Sequence, residues 1–161
     1  MLILDILLSL QRGKKNNGFI MIGKNNPLNI RASIHFRWSG QVGDTRGFCD
    51  FESELHCRRV GLYLLARSYK RAGVKDLESI IKRWAPPSEN NTGEYIRAVT
   101  KMIGVSRLWE PRSTFDYARL LAAIEIVEVG VPASLRAAKF NALLHSYLSA
   151  NNIFHIVKNE D

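Results

Sequence analysis

A chain of 161 residues, 46% hydrophobic and 24% charged, is long enough to bury a real core within one domain and needs neither disorder nor a membrane to account for its composition. Its 23 Lys and Arg against 15 Asp and Glu give a formal charge of +8, which asks for an anionic partner such as nucleic acid, lipopolysaccharide, teichoic acid or peptidoglycan. The basic residues are spread along the chain with no basic run or recognition-helix pattern, which argues against nucleic acid.

Residues 1–22 read as a leader of uncertain structure. The run MLILDILLSL is too short to span a bilayer and is interrupted by Asp5. It also lacks the basic start of a secretory signal, and QRGKKNNG follows where a cleavage site would stand. Met21 is an alternative start. Residues 23–161 then read as one mainly α domain with a loop-rich N-terminal segment, because residues 23–50 are polar, rich in Asn and Gly, and carry only short extended pieces.

Ser53 is placed to cap a helix of about five turns whose apolar positions Leu55, Leu62, Leu65 and Tyr69 run until Gly73. Asp76 caps a short helix with Leu77, Ile80, Ile81 and Trp84 on one face, ended by Pro86 and Pro87. Asn91 or Thr92 caps the next, with Glu94 positioned for a capping box, Ile96, Val99 and Ile103 as its buried side and Gly104 as its stop. The connector SRLWEPR carries Trp109 as a core anchor. Ser113 with Asp116 opens a fourth helix, through LLAAIEIVEVG to Gly130. Pro132 precedes a fifth, with Leu135, Ala138, Leu143, Leu144 and Tyr147 on its stripe and a stop at Asn151, leaving IFHIV as a short strand or packed extension.

No phosphate loop, dinucleotide fingerprint, HExxH or nucleophile elbow is present, which removes most nucleotide, zinc-protease and hydrolase-triad chemistries. Cys49, Cys57, His35 and His56 match no common zinc spacing, so no metal or cofactor is expected. Carboxylates remain. Glu89 sits alone in RWAPPSENNTGEY (residues 83–95), a proline-stiffened turn before a helix start, where the positive helix end favours the ionised form. Glu128 lies at the C-terminal end of an apolar helix, where dipole and hydrophobic walls oppose ionisation, as a general acid requires. Glu125, one turn earlier, would add like-charge pressure if it pointed the same way. Trp38, Trp84 and Tyr95 are sugar-stacking candidates that serve equally as core, and Arg31, Arg37 and Arg83 suit carboxylates or phosphates.

Four motifs carry a resemblance: NNPLNIR at residues 25–31, RWSG at 37–40, GFCDFES at 47–53 and IIKRWAPPSENNTGEYI at 80–96. In this order they resemble a family of phage and prophage virion proteins with an NNPxNIR to RWAPPxENxT signature, described as structural or lysozyme-like. The first three also resemble the core of glucosaminidases of the flagellar-rod and autolysin type, in which that core follows a helix ending in a catalytic glutamate. Here the matching helix end, Ala123, Ile124, Glu128 and Gly130, comes downstream.

The resemblance thus implies a lysozyme-like fold, circularly permuted, since neighbouring termini make permutation tolerable. It implies a glycan-strand hydrolase of peptidoglycan in which Glu128 is the general acid and Glu89 its partner. Asn25, Asn26, Arg31 and Asn90 would line the cleft, with Trp38 or Tyr95 under a sugar ring. The location implied is the virion or the bacterial cytoplasm, with other virion proteins as further partners. The competing implication is a non-enzymatic virion structural or glycan-binding protein.

Overall fold

The computed structural model describes residues 21–158, so most of the leader expected over residues 1–22 lies outside the described residues. The backbone is mainly α, with five α-helices and one small sheet among the described residues. The sheet is an antiparallel hairpin of β1 (Gln41–Thr45) and β2 (Phe48–Phe51). Its two-residue turn, Arg46 and Gly47, has both φ angles positive at 52° and 81°, the geometry that matches the right-handed twist of a tight hairpin. Strand β2 buries Phe48, Cys49 and Phe51, while β1 stays largely at the surface. The segment before the hairpin lies along β2: Cys49 N–H donates to the Ile30 carbonyl at 2.9 Å and Phe51 N–H to that of Lys24 at 2.8 Å.

Helix α1 (Glu54–Tyr63) passes directly into a π-helical turn, Leu64–Tyr69, and the two make up the long helix expected after Ser53. Ser53 stands at the cap position, but its hydroxyl engages His56 Nδ1 at 2.8 Å and no backbone N–H. Helix α2 (Leu77–Trp84) is capped by Asp76, which accepts from Ser79 N–H at 3.0 Å. Helix α3 (Thr92–Ile103) is capped by Asn91 and ended by Gly104 at φ 74°. Only half of the expected capping box forms there, because Glu94 turns to Arg97.

The connector that follows pairs with the start of α2, with Leu77 N–H on the Trp109 carbonyl at 2.8 Å and Glu78 N–H on that of Arg107 at 2.9 Å, and Trp109 packs against the core. Helix α4 (Thr114–Glu128) has the full capping box between Ser113 and Asp116. Its residues 120–126 are all buried, so it runs through the middle of the molecule with α1, α3 and α5 around it.

Helix α5 (Arg136–Lys158) follows a 3-10 turn, Ala133–Leu135, and departs from expectation twice. It continues past Asn151, so IFHIV is helical and neither strand nor extension. An Asn lowers helix propensity by well under 1 kcal/mol and cannot end a helix that tertiary packing of Tyr147 and Ala150 holds in place. Leu135 is half exposed and Ala138 is exposed, because the tighter 3-10 turn puts Leu135 out of step with the stripe below it.

A buried polar knot ties α1, α4 and α5 together. Arg58 donates to Glu125 through Nε at 3.1 Å and through a terminal nitrogen at 2.8 Å, while the Tyr147 hydroxyl donates to Glu125 at 2.6 Å. Among the described residues no helix is long and apolar enough to cross a membrane.

Candidate active site

Helix α4 delivers Glu128 to its own last turn, where Gly130 at φ 73° reverses the chain. Facing that end is the loop of residues 25–31, held rigid by its first two asparagines. Asn26 is fully buried: its carbonyl accepts from Ile30 N–H at 2.8 Å, and its amide donates to the carbonyls of Ile30 and Cys49, each at 2.9 Å. Asn25, in the left-handed region at φ 52°, donates to the carbonyls of Phe51 and Glu52. Both side chains fasten the loop to the hairpin, and neither lines the cleft described below.

The loop's third asparagine reaches the carboxylate. Asn29, at φ 49°, donates from Nδ2 to Glu128 Oε2 at 3.0 Å. The other oxygen, Oε1, accepts from the Tyr95 hydroxyl of α3 at 2.9 Å and from Trp84 Nε1 of α2 at 3.2 Å. Three donors from three segments thus converge on one carboxyl group that is only 5% exposed. Burial pushes Glu128 above the usual glutamate range, while the Asn29, Tyr95 and Trp84 hydrogen bonds and the Arg31 charge pull the other way. Burial, and then the adjacent Glu128, raise the Tyr95 hydroxyl well above its ordinary value, so it stays protonated and remains a donor.

Glu128 forms part of the floor of a cleft of about 410 Å³, which is in the range of small-ligand sites. Glu89, Arg31, Arg83, Trp38 and Trp84, all singled out in the sequence, line the same cleft. Glu89 belongs to the turn after α2, where its N–H donates to the Pro86 carbonyl at 2.9 Å. Its charge partner is Arg31, at 2.8 Å across the cleft, and the α3 N-terminus is capped by Asn91 instead. Trp38 meets Phe36 and Tyr63 edge-on, with centroids 4.9 and 5.9 Å away. The π-helical turn ends at Tyr69, another wall residue, which lies under the Arg83 guanidinium at 5.1 Å.

Three expected positions fall elsewhere. Asn90 stays within its turn, 3.5 Å from the Pro86 carbonyl, and borders a different groove. Tyr95 is buried beneath the cleft and touches the carboxyl group, so its ring is not a platform for a sugar. Glu125 points to Arg58 and Tyr147, away from the Glu128 carboxyl group, and is not among the charges that shift it. The sequence left Asn29 unremarked and offered Trp84 only as a stacking or core residue. The signal for Asn29 was the third amide of NNPLNIR, a residue type that adopts the left-handed region readily.

No protein-family model matches the chain. Over 87 residues it is 34% identical to Protein P5 of Pseudoalteromonas phage PM2, a stretch that covers 52% of this chain and 54% of that protein. The chain therefore spans about half the length of this curated relative, and the similarity supports a phage-protein origin.

Proposed function

We propose that this is a virion-associated or prophage-encoded peptidoglycan glycosidase with a permuted lysozyme-like fold and Glu128 as its general acid. The observation that carries the reading is a buried carboxyl group, raised in pKa and gripped by three donors, at the floor of an open cleft that also holds a second carboxylate. Glycosidases of this kind need two such groups in different environments. The permuted arrangement is supported by the way a helix ending in Glu128 abuts an Asn-rich loop and a hairpin that precede it in the chain.

In the reaction, Glu128 gives its proton to the glycosidic oxygen as the C1–O bond breaks and the bonding pair leaves with that oxygen. Burial keeps the proton in place at a pH where an exposed glutamate would have lost it. Positive charge on the sugar is met by the Glu89 carboxylate, which Arg31 releases on substrate entry, or by the acetamido group of the substrate itself. Water then adds at C1 and its proton returns to Glu128. Trp38 lies at the wall, where a sugar ring would present its C–H face.

The test is release of soluble fragments from purified peptidoglycan by wild type and by Glu128→Gln. Loss of activity of at least about 100-fold is expected; equal release would remove Glu128 as the acid. A second reading is favoured by the Arg31–Glu89 ion pair, which occupies the partner carboxylate. It describes a glycan-binding phage structural protein, selected by sedimentation with insoluble murein without release of fragments.

A further inference from the structure

Asn29 carries an oddity beyond its contact with Glu128. Its Oδ1 is buried and accepts no hydrogen bond, although the residue is only 6% exposed and its Nδ2 donates to Glu128. A buried acceptor without a donor is costly and rare. The same residue holds φ at 49°, a left-handed conformation that asparagine adopts more readily than most residues and that aims its side chain at the carboxyl group. The unpaired oxygen thus belongs to the side chain that grips one oxygen of the carboxyl group, while the neighbouring Asn26 satisfies both ends of its own amide. Unpaired buried polar groups of this kind concentrate where they serve a site.

The two carboxyl oxygens differ in their surroundings. Oε1 is enclosed by Tyr95 and Trp84 from two helices, whereas Oε2 has the Asn29 amide alone. We propose that Asn29 is a positioning residue, whose amide fixes Oε2 of Glu128 as the oxygen that gives and takes the proton, with its own carbonyl left unsatisfied. The inference rests on the reading of Glu128 as an acid.

The other groups facing Glu128 are accounted for. Tyr95 from α3 and Trp84 from α2 are neutral donors, and Arg31 from the loop adds positive charge. Glu89 and Arg83 sit on the cleft wall, with Glu89 bound to Arg31 and Arg83 over Tyr69. Glu125 on its own helix is neutralised by Arg58. Asn29 is therefore the contact whose removal changes Oε2 without touching Oε1.

The experiment uses the full chain with Asn29→Gly, which keeps the backbone conformation and deletes the whole amide, and with Asn29→Asp, which keeps the shape but exchanges the donor for a carboxylate. The Glu128 carboxyl carbon is followed by NMR against pH, and fragment release from purified peptidoglycan is measured across the same range. Loss of a hydrogen bond to the anion should lower the acid dissociation constant of Glu128 about tenfold in Asn29→Gly, and further in Asn29→Asp, where a like charge is added. The pH profile of fragment release should move by the same factor while the melting temperature holds or rises.

An unchanged Glu128 titration in Asn29→Gly would overturn the proposal. So would a protein that no longer folds, because Asn29 would then be structural. If the titration moves while wild type releases no fragments at any pH, the positioning role stands and the glycosidase reading falls.

Discussion

Replacing Glu128 with Gln should stabilise the protein, and by an amount that grows with pH. In the native state Glu128 is 5% exposed, and burial holds its carboxyl above its ordinary value of 4.5. Between its unfolded and folded pKa the native protein binds the extra proton, so the contribution of this group to stability is full below about 4.5 and is lost as pH rises through the folded value. Gln has nearly the same shape and no charge to lose. Its amide would face Asn29, and turning the Asn29 side chain over gives the unpaired Oδ1 a donor.

Above the folded pKa, wild type bears the penalty of a buried anion that its three donors only partly offset, and Gln avoids it. That difference is about 1–3 kcal/mol. For a domain of this size each kcal/mol moves the melting temperature by about 2–4 °C, so Glu128→Gln should melt higher at pH 8, by roughly 2–12 °C. The two proteins should converge near pH 4.5. Thermal melts by circular dichroism across that interval measure the gap. A gap that is flat, or that narrows toward high pH, would refute the assignment of Glu128 as a buried group with a raised pKa, whatever the enzymology shows.

Arg58→Leu should cost about 3–5 kcal/mol in chemical denaturation because it leaves Glu125, whose side chain is 4% exposed, without its charge partner. The double change Arg58→Leu with Glu125→Leu should cost less than the single one. Glu89→Gln breaks the pair with Arg31, but both side chains are well exposed, so stability should change by under about 1 kcal/mol while fragment release falls. Gly23→Ala would bring a Cβ to 2.1 Å from the Cys49 carbonyl oxygen and force the loop off the hairpin. A melting-temperature loss equivalent to about 1–3 kcal/mol is expected, together with lower fragment release as Asn29 loses its register.

Helix boundaries were the most legible feature of the sequence because they rest on chemistry within one turn. Asp76, Asn91 and Ser113 each cap through their own side chains, and Gly104 and Gly130 take the left-handed conformation that ends a helix. Glu128 was legible for a similar reason, since its place at the end of an apolar helix is a local property. Its surroundings were not. Tyr95, Trp84 and Asn29 lie 33, 44 and 99 residues away, and no local pattern reports which of several polar side chains will meet across a core.

Asn25 and Asn26 show the converse. Polar residues in a loop suggest a binding surface, yet the chain consumes their amides to pin its own backbone. The end of α5 was misread because Asn151 weakens a helix without stopping it. Glu125 and Glu128 look alike in sequence and stand only about 60° apart around the helix axis, yet one turn along the axis brings them to different neighbours, Arg58 and Tyr147 for the first and Asn29, Trp84 and Tyr95 for the second.

The hydrogen bond from Asn29 to Glu128 joins groups 99 residues apart, and every other element of the cleft lies between them in the chain. A growing polypeptide therefore holds the loop, the hairpin and both tryptophans of the cleft long before it holds the carboxyl group. The pocket is complete only once α4 packs against the segments that precede it. Two separately expressed fragments divided in the connector between α3 and α4 would separate Glu128 from the other residues of the cleft. Mixing them offers a test of the proposed chemistry that leaves every residue of the site in its natural form.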